Sequence, residues 1–210
     1  MKKYQFISCS IVKLILFLIF LAGCSSEPSS GKKIAYISTV KNSQYAKTFH
    51  NLHLGVLYDF NLKLTEADTS WVTLWVEGYK NGEETDPFRL KELSYGLHPT
   101  NKVVEGPIGF GIINPRSDDD ASFFFYSSGV SVPPQTVGNI IKGAGATTWG
   151  FAIGDEEVAL ESGETKVLGV YRQSGNSIRT YDYQDINQIT EMINKDKTVL
   201  LLKIKVEKEN

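Results

Sequence analysis

Between Leu54 and Leu64 the chain changes polarity at nearly every step. Leu54, Val56, Tyr58, Phe60, Leu62 and Leu64 alternate with Gly55, Leu57, Asp59, Asn61 and Lys63. Side chains of a strand project to opposite faces with a period of two, so this run predicts a long strand with one buried face. Trp71 to Tyr79 repeats the pattern, with Val72, Leu74 and Val76 on one face. Asn81-Gly82 follows, the strongest short hairpin signal, because a type I′ turn needs positive φ at both central positions. A third strand is expected within 84–97, where Pro87 indicates an edge position or a late start.

Further strands are expected at 107–113, 122–126, 148–153, 157–161 and 165–172, and Thr198 to Lys208 closes the chain with Leu200, Leu202, Ile204 and Val206 on one face. One helix stands out: Ile186, Ile189 and Ile193 share a face, and Asp182 can cap it. Residues 34–53 are ambiguous, since Ile34, Tyr36 and Ser38 alternate whereas Tyr45, Phe49 and Leu52 have helical spacing. Short strands, Gly/Pro turns and one late helix predict a mainly β chain, a single antiparallel β-sandwich with the helix before the last strand. Leu160 and Ser162-Gly163-Glu164 resemble the Leu-x-x-Gly-Glu turn of immunoglobulin-like sandwiches, with Ser162 where proline is usual. An immunoglobulin-like arrangement is one that this resemblance allows.

The N-terminus carries a different kind of signal. Lys2 and Lys3 precede an apolar run from Leu14 to Ala22, which ends in Leu21-Ala22-Gly23-Cys24. Nine apolar residues are too few for a bilayer-spanning helix, which needs about 20, but suit the apolar region of a secretory signal. Leu21 to Cys24 resembles the lipobox of bacterial lipoproteins. That resemblance implies cleavage after residue 23, acylation of Cys24 and anchoring to the cell membrane on its extracytoplasmic face. The remainder looks like small lipoproteins of Gram-positive bacteria with no assigned activity. Residues 24–33, rich in Ser, Pro and Gly, read as a flexible tether, and 34–210 as the folded domain.

Cleavage would change the composition. The whole chain has 210 residues, 22 Lys+Arg, 24 Asp+Glu and two cysteines. Removing 1–23 leaves 187 residues with 19 basic and 24 acidic groups, a formal charge of −5 and Cys24 as the one cysteine. The domain would then lack a disulfide and rest on its core, which a chain of this size can supply. The acidic balance disfavours nucleic acid and anionic phospholipid as partners.

Catalytic constellations are sparse. Gly143-Ala144-Gly145 lacks the remaining residues of a nucleotide-binding loop, and Ser30-Gly31-Lys32-Lys33 matches Ser-x-x-Lys without its partner box. Asp118-Asp119-Asp120 lacks the alternation of a calcium loop and reads as a solvated turn, as does Asp155-Glu156-Glu157. No catalytic residue and no cofactor follow from these motifs. His50 and His53 would share a helix face and could chelate a metal, with His98 or Glu105 as the third ligand a catalytic zinc requires.

Trp71, Trp75 and Tyr79 should project from the face of their strand opposite Val72, Leu74 and Val76. Pointing outward, they would form a row of rings able to stack on sugars or peptide aromatics, giving a protein or glycan ligand; alternatively the late helix or residues 34–53 cover them as a second core. The reading that results is a lipid-tethered extracytoplasmic lipoprotein of non-enzymatic, ligand-binding type. The alternative is an extracytoplasmic metal-dependent hydrolase built on His50 and His53.

Overall fold

A computed structural model describes residues 31–113, 120–138, 140–141, 145–175, 177 and 179–209. The signal-like segment, Cys24, the tether up to residue 30, Gly143-Ala144 and Asp118-Asp119 lie outside the described residues. The elements run β1 (Lys33–Thr39), α1 (Gln44–Asn51), β2 (Gly55–Leu64), β3 (Ser70–Lys80), β4 (Glu83–Gly96), β5 (Val104–Ile113), β6 (Ala121–Ser127), β7 (Ser131–Val137), β8 (Ala146–Phe151), β9 (Val158–Glu161), β10 (Thr165–Ser174), α2 (Ile186–Lys195) and β11 (Thr198–Lys208).

The strands form two antiparallel sheets, a sandwich of the kind the alternation predicts. A six-stranded sheet has the order β7-β6-β5-β2-β1-β9, and a five-stranded sheet the order β4-β3-β11-β10-β8. Val56, Tyr58, Phe60, Leu62 and Leu64 of β2 face the interior, where they meet Val72, Leu74 and Val76 of β3 and Leu200, Leu202 and Ile204 of β11. Asn81 (φ 53°) and Gly82 (φ 86°) make the expected hairpin between β3 and β4. β4 is an edge strand, as Pro87 foretold. Eleven strands among the described residues exceed the seven to nine or so of immunoglobulin domains. The turn at Gly163 (φ 80°) carries the chain from β9 in one sheet to β10 in the other. Burial raises the Glu164 carboxyl, but the Glu161 N–H and Lys166 outweigh it and hold that group below its ordinary value.

A second, smaller core lies on the outer face of the five-stranded sheet. Ile189 and Met192 of α2 cover Val170, Val199 and Leu201. The strand β11 is therefore apolar on both faces along this stretch, which explains its unbroken Val-Leu-Leu-Leu run. The cap of α2 is Asp185, whose carboxylate accepts from Asn187 N, rather than Asp182. Asp182 instead forms a turn, accepting from Gln184 N at 2.9 Å. Beneath α2, Arg172 and Asp196 pair at 3.2 Å with side chains only 2 % and 6 % exposed. The Arg172 guanidinium also reaches the Arg179 carbonyl and lies 4.7 Å from the Tyr181 ring centre.

The structure settles one ambiguity and adds one strand. The ambiguous 34–53 stretch resolves into β1 followed by α1, so the described residues hold two helices rather than one. Ser131–Val137, with Pro133 and Pro134, forms β7. Two prolines argue against a central strand, but β7 is an edge, and its register with β6 shifts where Pro133 and Pro134 stand, so neither is asked for a regular ladder bond.

Candidate functional site

The outer face of the six-stranded sheet carries an aromatic groove. Registers place Leu57, Gly111 and Phe124 in one cross-strand row, and Asp59, Gly109 and Tyr126 in the next. Each row has glycine at its centre, and a Cβ at Gly111 would run into the Phe124 ring, just as one at Gly109 would run into Tyr126. The rings thus lie over bare backbone, a way of covering strand glycines that lets aromatic faces sit low on a sheet. Tyr126 stretches across Gly109 and its hydroxyl donates to Asp59 Oδ1 at 2.6 Å.

The helix α1 packs on these rings. Tyr45 and Phe49 are four residues apart and share a helical face. Tyr45 meets Tyr126 edge-on, with ring centres 5.5 Å apart, and Phe49 meets Phe124 at 5.4 Å. Pairs of this kind contribute about 0.5–1.5 kcal/mol each beyond their buried area. The Ser43 hydroxyl caps the helix by accepting from Ala46 N at 2.9 Å. No α1 residue is fully buried, and Tyr45 stays 54 % exposed. Between helix and sheet runs a cavity of about 620 Å³, lined by Tyr45, Phe49, Leu57, Pro107, Phe124 and Tyr126.

Its electrostatics suit binding better than proton transfer. Asp59 is buried at 2 % exposure on the outer face. Burial, then the hydrogen bond and charge of Asp59, push the Tyr126 phenol far above its ordinary value. It stays a fixed hydrogen-bond donor near neutral pH, so it offers neither a phenolate nucleophile nor a base. What remains is a set of ring faces and edges, open to solvent, beside one buried carboxylate.

The row Trp71, Trp75 and Tyr79 is not an exposed platform. Trp75 is 2 % exposed. Its Nε1 donates to Glu77 Oε1 at 2.9 Å, and the Arg89 guanidinium covers the ring at 4.4 Å. Lys203 holds Glu77 Oε2 at 2.6 Å, and the Tyr79 hydroxyl donates to the same oxygen at 3.3 Å. Tyr79 is half-buried and packs with the α2 core, while Trp71 is also only partly exposed. The exposed-row expectation fails for Trp75 because long Arg and Lys side chains lay their stems over apolar surface, so a polar neighbour can bury a ring.

His50 lies in the last turn of α1 and His53 follows the helix at φ 51°, both exposed, with ring centres 6.4 Å apart. Of the expected third ligands, His98 Nδ1 accepts from Asn101 N and Glu105 accepts from Asn61 at 2.7 Å. Among the described residues no group of three His, Cys, Asp or Glu side chains gathers around a point. Asp155 binds Lys41 at 2.7 Å and Thr39 at 2.9 Å, and these contacts lower its pKa. No described helix is long and apolar enough to cross a membrane.

The groove was partly foreshadowed. Gly109 and Gly111, in the 107–113 strand, alternate with large residues, and 122–126 is almost wholly aromatic. That glycines and rings stand in register is a property of two strands paired across a loop, which neither segment shows alone. Compared with protein-family models, curated proteins and solved structures, the chain matches none.

Proposed function

We propose that this protein is a non-enzymatic binding module, held at the extracytoplasmic face of the cell membrane by an acylated Cys24. It takes its ligand in the aromatic groove beneath α1. The observation that carries the reading is the groove itself: four rings from α1 and β6 around about 620 Å³, with Tyr45 largely exposed at the rim. Such a surface suits a ligand with a flat apolar face, a sugar ring or a peptide aromatic, because ring faces and C–H groups stack without requiring charge. The lipobox-like Leu21 to Cys24 supports the anchoring part, and a Ser/Pro/Gly-rich tether would let the domain stand off the bilayer.

Two measurements test the reading. Cells fed an alkyne-bearing fatty acid should label the full chain and not the Cys24→Ala variant; equal labelling of both removes the anchor. The full chain in detergent micelles, applied to immobilised oligosaccharides and to aromatic tripeptides, should be retained on one of these sets. Tyr45→Ala should lose retention while Tyr45→Phe keeps it. Retention that is indifferent to Tyr45, or absent from both sets, removes the groove.

A further inference from the structure

A second groove, on the opposite side of α1, points to a partner of a different kind. Each sheet has two edges, and three of the four are guarded. β4 carries Pro87 among Glu83, Glu84, Asp86, Arg89 and Lys91; β7 carries Pro133 and Pro134; β9 is only four residues long. Prolines, charges and shortness are the devices that stop an edge from pairing with another chain. β8 has none of the first two: Ala146-Thr147-Thr148-Trp149-Gly150-Phe151 contains neither charge nor proline. Its one ladder is with β10, and no strand lies on its other side among the described residues.

The backbone of β8 is aimed accordingly. Ala152 N donates to Leu168 O at 2.8 Å, continuing the register in which Val170 faces Gly150. Hydrogen-bonded and non-bonded pairs alternate along an antiparallel ladder. The N–H and C=O groups of Thr147, Trp149 and Phe151 therefore point away from β10. Beside them lies a cavity of about 640 Å³ bounded by Trp149 and Phe151 on one wall and by Lys41, Lys47, Phe49 and His50 on the other. Trp149 is 43 % exposed there. No acidic side chain among the described residues lines the cavity, although acids outnumber bases in the chain. Lys41 is tied to Asp155, whereas Lys47 is exposed and has no ion-pair partner among the described residues.

We infer that β8 is a docking edge for an extended, acidic segment of another protein, which adds as a sixth strand to the five-stranded sheet. Its backbone completes the ladder at Thr147, Trp149 and Phe151, its apolar side chains lie on Trp149 and Phe49, and a carboxylate meets Lys47. Backbone pairing supplies affinity in this mode and side-chain pockets supply selectivity. A second copy of this chain is the poorer occupant, because two-fold pairing repeats one patch on both sides and sets the cationic rim against itself.

The test uses the full chain in detergent micelles and a capped heptapeptide alternating valine and glutamate. Binding is read from tryptophan emission, since Trp149 is the most exposed of the three tryptophans. The expected result is saturable binding, at least about tenfold weaker for the valine–lysine heptapeptide, with Lys47→Glu reversing that preference. Thr147→Pro removes an outward N–H without touching the β10 ladder and should abolish binding, while Thr147→Ala keeps it. Should Thr147→Pro not fold, a glutamate peptide N-methylated on alternate amides replaces it, and one of the two methylation registers should fail to bind. Equal binding of both N-methylated registers, equal binding of the lysine peptide, or no binding overturns the inference. So does a dimer in sedimentation that Thr147→Pro dissociates, which would assign the edge to a second copy.

Discussion

Arg172 and Asp196 show how much a single pair can decide in this molecule. They meet at 3.2 Å, nearly out of water, yet Arg172 Nη1 and Nε and Asp196 Oδ2 have no aligned hydrogen bond among the described residues. Removing one partner of a buried pair leaves an uncompensated charge, so Arg172→Met or Asp196→Asn should each destabilise by roughly 3–5 kcal/mol in urea titrations. The double variant Arg172→Met/Asp196→Leu should recover most of that loss, because an apolar pair needs no desolvation. Burial raises the Asp196 carboxyl, with Arg172 opposing. A raised carboxyl binds its proton more tightly folded than unfolded, so this group's contribution to stability should fall as pH rises from about 3.9 through its folded value. Losing Arg172 should widen that window upward, which melts across pH would register. Tyr126 gives a second case. Tyr126→Phe leaves the buried Asp59 carboxylate without its donor and should cost about 1–3 kcal/mol. Neither partnership is visible in the sequence, where Asp59 stands among the polar residues of an alternating strand. The helix cap shows the same limit on a finer grain: the sequence reading names Asp182, and only the start of the first helical turn selects Asp185.

Strands whose pattern is local were legible. β2, β3 and the second half of β11 announce themselves because one face meets water or charge while the other meets the core, and a one-residue slip would invert both. The helix α1 was half-legible: Tyr45 and Phe49 show its spacing, but eight residues with no buried side chain are too short a run to separate it from the alternation just before it. β7 was not legible, because two prolines suppress the signal that edge placement permits. The candidate site was legible only in its ingredients. Rings were expected to face outward, and rings do line a groove, but they come from α1 and β6 rather than from β3. Gly111→Ala tests how β5 builds that groove. The added methyl displaces Phe124, costs about 1–3 kcal/mol as overpacking, and should weaken ligand retention more than Pro107→Ala does. Asp185→Ala tests α2 in the same spirit. The Asn187 N–H holds the Asp185 carboxyl below its ordinary value, so the stabilisation it brings is present above about pH 3.9 and lost as pH falls through the folded value. Asp185→Ala should remove that pH dependence, and Asp185→Asn should retain the cap without it.

At the level of the whole molecule, two sheets and a late helix followed from pattern alone, because antiparallel strands with one apolar face have few ways to bury it. The order of strands within each sheet did not, since β2 pairs with β5 and β3 with β11 across long stretches of chain. Two cores share one sheet, the larger between the sheets and the smaller under α2. The helix α1 belongs to neither. It stands as a partition, with Phe49 and Leu57 lining the cavities on both of its sides. A ligand that draws this lightly held helix towards itself widens one chamber by narrowing the other. The two occupants would then compete without touching, and linkage requires that each weaken the other by the same factor. Measuring valine–glutamate peptide affinity with and without a saturating groove ligand, and the reverse, should return two equal ratios, and the domain would behave as a toggle that holds one guest at a time.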